Sequence, residues 1–449
     1  MIYPSLTKNL LDRVVHLQWR DGGPDMLEQI KHCVLDWLAV SIAATRDPSA
    51  SILRDELEAQ GGYPQATAFG CAQHMSTHQA ALFNGTLSHL FDFDDTNFAI
   101  PGHVTSPILS ALLPIAEHQH ATASVVMDAL LTGYEASCRI ALLLAPGHYT
   151  RGFHATATIG CLGAAVACAR LLGLDLTATA HALGIAATRA AGLKSMFGTP
   201  CKPLHVGMAA SAGQLAASLA ARGFESREDV LECPQGFAAT HSPDFNPEAA
   251  MRDPASGYHI YNNLFKFHAS CYVTHATIEC GQHIRKSDGF SLDDVLAINV
   301  RANTHCDEIC NIAEPKTGME TKFSLRAAAA FSLAGLDTSR PEVFSDTNAR
   351  LSVLSGLRDK VTVQLTPDLV LTESEVEVEL RSGKMIHARR DTGVPMKDRA
   401  AQGRRVAEKF HFLVEPIVGK IRSKQIHLEV NQLEELSDIA PLMALCQKI

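Results

Sequence analysis

The chain has 449 residues, of which 46% are hydrophobic, 19% charged and only 6% aromatic, with a net charge of −9. That length is too great for one ordinary core and points to two domains, or to one domain with a large insertion. The acidic balance, with no basic run anywhere, argues against nucleic acid or an anionic membrane surface as a partner.

Twelve cysteines are scattered along the chain without a CxxC pair, and the polar stretch Met1–Val15 has no h-region. Both features read as a cytosolic protein with reduced, mostly buried thiols. His305-Cys306-x-x-x-Cys310 is too poor in neighbouring ligands for a metal site, so no metal is expected.

In chain order, Met26, Ile30, Val34, Leu35, Leu38 and Ile42 recur at helical spacing. Gly61-Gly62 and Pro64 mark a loop. Helical runs follow at Ser76–Phe91, Ser106–His118, Ala123–Leu144, Thr156–Leu172, Thr177–Ala191 and Leu204–Ala221. Two uncharged runs, Gly152–Ala169 and Pro203–Ala221, are too rich in alanine, glycine and polar groups for membrane spans and read as buried helices. After about Lys266 the pattern changes. Val295–Ala302 is strand-like, and Thr321–Leu336 is helical. Lys360–Leu365, Ser374–Leu380 and Lys384–Ala388 alternate with period two, the last two joined by Arg381-Ser382-Gly383 as a hairpin. From Lys397 the pattern is helical again. The expected fold is mostly α with a smaller α+β domain. A large all-helical domain would comprise residues 1–266 and 396–449, with the α+β domain inserted at 267–395.

GxGxxG, GxxxxGK[ST], HExxH and GxSxG are all missing. What stands out is His89-Leu90-Phe91-Asp92-Phe93-Asp94-Asp95-Thr96-Asn97, three aspartates at the end of an apolar helical run, followed by Gly102-His103. Basic and proton-transfer groups recur at other helix boundaries. They are His148-Tyr149-Thr150-Arg151-Gly152-Phe153-His154, Lys194, Lys202-Pro203-Leu204-His205, and Lys266-Phe267-His268 with Cys271 and His275. Such a set suits a small polyanion, because cations neutralise carboxylates while histidine or tyrosine moves a proton.

These residues resemble the MmgE/PrpD family, which includes 2-methylcitrate dehydratases, cis-aconitate decarboxylases and iminodisuccinate epimerases. The resemblance spans nearly the whole chain. It is carried by His89–Asp95, by Gly152-Phe153-His154, by Phe197-Gly198-Thr199-x-x-Lys202-Pro203-Leu204-His205-x-Gly207, and by Lys322-Phe323-Ser324-Leu325. It implies a large helical domain, a smaller α+β lid domain, a homodimer and no organic cofactor. By motif, a decarboxylase-type site would here comprise Asp92, Thr96, His103, His154, Lys202 and Lys266. The epimerase branch would place its acid–base pair on Tyr149 and Lys202. Two departures weigh against cis-aconitate decarboxylation. Cys271 replaces the histidine expected five residues after Lys266, and Arg326-Ala327 stands where a tyrosine is expected after Lys322-Phe323-Ser324.

The resulting expectation is a cofactor-independent enzyme that abstracts a proton next to a carboxylate of a small di- or tricarboxylate. The leading form is a 2-methylcitrate dehydratase-like hydro-lyase, with an iminodisuccinate-type epimerase as the alternative. His103, His154, Lys202, Tyr149 and Asp92 would be catalytic. Thr96, Lys266, Cys271, His275 and Arg326 would bind substrate. An iron–sulfur hydratase lacks an evident third cysteine beside Cys306 and Cys310. A carboxylate-binding protein without turnover is the non-enzymatic alternative.

Overall fold

Small residues define the helices of the N-terminal half, and several of them start at a side-chain cap. A computed structural model describes residues 5–447. Helix Gly23–Ala43 begins with Pro24 in its first turn, where a missing N–H costs nothing. Helix Thr77–His89 starts with a reciprocal capping box. Ser76 Oγ accepts from Gln79 N at 3.2 Å, and Gln79 Oε1 accepts from Ser76 N at 3.3 Å. Helices Thr105–His118, Ala123–Leu144, Ala155–Leu171, Leu176–Ala187 and Cys201–Ala220 follow. Thr122 and Asp175 cap two of them through side-chain oxygens.

Helices Thr77–His89 and Cys201–Ala220 come into backbone contact. A Cβ on Gly85 would lie 2.8 Å from Gly207 Cα, and a Cβ on Gly207 would run into the Leu82 carbonyl oxygen. Gly133 likewise approaches the Gly163 carbonyl, and Gly213 the Cys161 carbonyl. This close packing explains the abundant alanine and glycine, and it brings polar groups from several helices within reach of one another.

By internal contacts the chain divides into two compact units. The larger comprises the residues up to Leu90, Asp94–Phe265 and Met396 onward. Within it helix Arg399–Val418 packs on Gly23–Ala43, and buried Lys409 donates to Asp36 Oδ1 at 2.6 Å. The smaller comprises Lys266–Pro395 together with Phe91–Phe93. Its sheet has the order β2-β1-β3-β4, with β1 Val295–Asn303, β2 Val361–Thr366, β3 Glu373–Leu380 and β4 Met385–Asp391. β1 runs parallel to β2 and antiparallel to β3, and the hairpin pairs Glu379 with Met385. On β3, Ser374, Val376, Val378 and Leu380 are buried while the glutamates between them are half-exposed. Helix His275–Arg285 covers the buried face, where Thr277 Oγ1 donates to Ser374 Oγ at 2.9 Å.

Two expectations are corrected. The large unit is not all-helical. Extended segments pair in single antiparallel bridges at Ala66–Met75, Thr96–Leu264, Asn97–Gly102 and Phe153–Leu193. These connectors satisfy backbone groups by one-pair ladders, too short to leave any period-two pattern in the sequence. The fold is therefore mostly helical, with one four-stranded sheet and scattered extended links. The run Thr321–Leu336 is also not one helix. It breaks into Gly318–Thr321 and Leu325–Leu333, because Ser324 turns its hydroxyl back to cap Ala327 N. Among the described residues no helix is long and apolar enough to cross a membrane.

The glycine contacts make a direct prediction. Gly207→Ala forces a methyl group into the Leu82 backbone and destabilises the protein by about 1–3 kcal/mol. Gly356→Ala, on helix Ser352–Arg358 where a Cβ meets nothing within 4 Å, is neutral or stabilising by roughly 0.5–1 kcal/mol. Thermal melts of the two variants side by side check this, and equal melting temperatures would contradict it.

Candidate active site

Asp94 is the hub of a polar cluster in the larger unit. Helix Thr77–His89 delivers His89 in its last turn, and helix Thr105–His118 delivers Ser106 in its first. The link between them is tied by the Asn97–Gly102 bridge and by Thr96 Oγ1, which donates to Gly102 O at 2.8 Å. The Asp94 side chain, 1% exposed as a residue, accepts from His89 Nδ1 at 2.8 Å and from Ser106 Oγ at 2.6 Å. His103 Nδ1 lies 3.0 Å from the same carboxylate, and its backbone N–H donates to Thr156 Oγ1 at 3.1 Å.

A buried carboxylate survives only when its lone pairs are satisfied. Burial alone would raise the Asp94 carboxyl, but His103 and His89 together hold it well below the usual carboxylate range. Both imidazoles turn Nδ1 toward this acceptor, which favours the Nδ1–H tautomer and leaves Nε2 with the lone pair. Burial, reinforced by Lys202 and His103 and opposed by Asp94, pushes His89 down to about 4. His154 is held well below its ordinary value by burial, then by Lys202, His89, His205 and His103. Both rings are therefore neutral at physiological pH.

Lys202 belongs to the same cluster. It lies buried in the first turn of helix Cys201–Ala220, with its ammonium 5.0 Å from the Phe197 ring centroid. A cation at the positive end of a helix dipole is unfavourably placed unless an anion is to be met there. His154, at the N-cap of helix Ala155–Leu171, sets its ring edge-on to Phe197 at 5.1 Å and its Nδ1 3.2 Å from His205 Nδ1. The ring centroids of His89 and His103 are 4.4 Å apart, and those of His89 and His154 5.9 Å.

The smaller unit holds a second polar group. Asp92 adopts a left-handed backbone (φ 51°), uncommon for a residue other than glycine. Buried Lys266 reaches Asp92 O at 2.7 Å and Asp92 Oδ1 at 3.3 Å, and Lys322 donates to Phe91 O at 2.6 Å. His275 opens helix His275–Arg285, stacked on Tyr272 with centroids 4.8 Å apart and edge-on to His268 at 5.0 Å. Burial, followed by His268 and Lys266, holds His275 well below its ordinary value. Cys271 is buried and its N–H donates to Lys322 O at 3.0 Å. Arg326 donates to Asn311 Oδ1 at 2.8 Å.

Of the residues singled out from sequence, His103, His154 and Lys202 come together in the larger unit, while Asp92, Lys266, Cys271 and His275 belong to the smaller. Thr96 secures the Asp94–His103 link through Gly102 O. Tyr149, on the single turn Gly147–Thr150, carries the Lys194 ammonium 3.8 Å from its ring centroid. The site residues assigned from sequence did not include Asp94, His89, Ser106 or His205, although His205 stands in the Lys202-Pro203-Leu204-His205 run. The signal was present for Asp94 and His89, since both lie in the aspartate-rich stretch, but residue order does not tell which aspartate turns toward which histidine.

Comparison with known proteins adds an independent finding. The MmgE/PrpD N-terminal domain model matches residues 8–250, and the MmgE/PrpD C-terminal domain model matches residues 268–435. The cis-aconitate decarboxylase of Aspergillus terreus is 26% identical over 481 residues, covering 98% of this chain and 96% of its own. Proteins of the same name from Mus musculus and Homo sapiens are each 24% identical, covering 99% of this chain and 94% and 95% of their own. With the two family domains matched in order over most of its length, the chain belongs to the MmgE/PrpD family.

Proposed function

We propose that the protein is a lyase acting on a small di- or tricarboxylate, with a proton transferred at the carbon next to a carboxylate group. The reading is carried by His103, an imidazole whose Nδ1 is at Asp94 and whose Nε2 is thereby left to take or give a proton. Asp94 orients the ring and stabilises the imidazolium formed during transfer, as a carboxylate behind a histidine base does elsewhere. A proton next to a carboxylate is weakly acidic, and its removal leaves an enolate-like intermediate with extra negative charge. The Lys202 ammonium beside neutral His154 and His89 is a donor for that charge, and one such donor in a dry site contributes on the order of 3–4 kcal/mol to the barrier. Lys266 and Asp92 of the smaller unit are retained as proposed site residues.

The finer form proposed is elimination of water from a hydroxylated tricarboxylate, as in a 2-methylcitrate dehydratase. His103 abstracts the proton and, as the imidazolium, delivers it to the departing hydroxyl, which leaves as water, while neutral His154 hydrogen-bonds the substrate. Decarboxylation is the second reading, favoured by the names of the relatives. There the carboxylate leaves as carbon dioxide and the same imidazole, protonated, returns a proton to the carbanion carbon. Cys271 and Arg326 occupy positions where that branch is expected to carry histidine and tyrosine, which keeps dehydration first.

Incubation with citrate, 2-methylcitrate, cis-aconitate and iminodisuccinate in deuterated water, followed by NMR, tests both. A new alkene from a hydroxylated substrate is expected. Carbon dioxide release from cis-aconitate selects the second reading, and label exchange into unchanged iminodisuccinate points to an epimerase instead. No reaction with any of them would count against the proposal. On whichever substrate turns over, His103→Ala is expected to lower kcat by about 10²–10⁴ with the circular dichroism spectrum unchanged. A variant within tenfold of native would remove His103 from the chemistry. Lys202→Ala should lose about 10² or more in kcat, with partial recovery in Lys202→Arg, which restores the charge but not the point geometry. Equal activity in Lys202→Ala and native protein would show that this cation does not stabilise the transition state.

A further inference from the structure

Asp95 is buried as deeply as its neighbour Asp94, at 1% exposed, yet it is bound in a different way. Its Oδ2 accepts from Thr105 Oγ1 at 2.6 Å and from Asn263 Nδ2 at 2.7 Å, both neutral donors. The direction of this chain of bonds is fixed from behind. Asn97 Nδ2 donates to Tyr134 Oη at 3.1 Å, and Tyr134 Oη donates to Asn263 Oδ1 at 2.8 Å, so the Asn263 amide must face Asp95 with its N–H. Asp95 Oδ1 has no hydrogen-bond partner among the described residues.

The charged and titratable groups around Asp95 come from four directions. Helix Gly23–Ala43 contributes Asp36 and Cys33, and helix Arg399–Val418 contributes Lys409. Helix Ala123–Leu144 contributes Tyr134, and the adjoining link contributes Asp94. The one cation among them is committed elsewhere, since Lys409 donates to Asp36 Oδ1 at 2.6 Å. The two histidines nearest this stretch turn their Nδ1 atoms to Asp94 and not to Asp95. An ionised Asp95 would thus be an uncompensated anion beside two others, buried from the protein surface. A buried carboxyl in that position lowers its free energy by keeping its proton.

We propose that Asp95 is a neutral carboxylic acid in the folded protein, and that it is a positioning residue. Its acceptor oxygen ties the Asp94–Thr105 link to Asn263, and its neutrality leaves Asp94 as the anion that orients His89 and His103. The second half rests on the proton-transfer reading above, whereas the protonation itself does not. Burial, reinforced by Asp36 and opposed by Thr105 and Asn263, pushes the Asp95 carboxyl up to about 7.

The sign of the pH dependence follows. The folded state holds this proton more tightly than the unfolded chain, whose aspartate releases it near pH 4. Stability contributed by Asp95 is therefore full below about pH 4 and is lost as pH rises toward about 7. Asp95→Asn, a neutral isostere, suffers no such loss. Its melting temperature relative to native should rise between about pH 5 and about pH 8, and infrared difference spectra near pH 6 should show a protonated-carboxyl C=O stretch in native protein that the variant lacks. Thr105→Val removes a donor from Asp95 and should steepen the native loss of melting temperature over the same interval. A constant or falling difference for Asp95→Asn, or native protein lacking the carboxyl band, would overturn the proposal. If Asp95→Asn does not fold, a flattened pH dependence in Thr105→Val would overturn it equally. These readouts involve no substrate, so failure here is distinguishable from failure of the proposed reaction.

Discussion

One buried carboxylate organises the polar centre of the larger unit. Asp94 accepts from His89 and Ser106 and stands at ion-pair distance from His103, so three elements of the chain end on one side chain. Removing a carboxylate from water costs several kcal/mol unless every lone pair is met. The helix end carrying His89, the link carrying His103 and the helix start carrying Ser106 therefore cannot move independently. The same constraint sets the chemistry, because orienting an imidazole through Nδ1 determines which nitrogen faces outward to react.

This arrangement depends on how closely the helices approach. Gly85 against Gly207 allows helix Cys201–Ala220 to lie against helix Thr77–His89 at backbone contact. That approach puts Lys202 and His205 within electrostatic reach of His154, and Lys202 within reach of His89. Larger residues at these contacts would separate the helices and weaken the field of Lys202 on the two imidazoles, which falls with distance. The alanine-rich composition thus bears on function as well as on packing. It shortens distances between side chains that would otherwise be solvated separately.

The three aspartates of one short stretch have three different surroundings. Asp92 meets Lys266 in the smaller unit, Asp94 meets two histidines, and Asp95 meets a hydroxyl and an amide. The sequence showed that this stretch was unusual, and the motif resemblance singled out His103, His154 and Lys202, which the structure gathers. It did not show which aspartate faces which partner. That depends on the left-handed turn at Asp92, a backbone choice that no periodicity records. The division of the Thr321–Leu336 run had a similar cause, since a serine that caps a new helix is indistinguishable by pattern from one inside an old helix. The single-pair bridges of the larger unit carry no sequence signal, because a strand needs several residues to leave an alternating signature. The β3–β4 hairpin, with eight and seven residues in its strands, was legible for the same reason.

The orientation of His103 by Asp94 is measured directly by the ring-nitrogen chemical shifts of that histidine. Histidine-selective NMR of native protein, assigned by comparison with His103→Gln and read in the neutral form of the ring, should show the His103 proton on Nδ1. That pattern should be lost in Asp94→Asn. A native His103 with its proton on Nε2, or one unchanged by Asp94→Asn, would contradict the account.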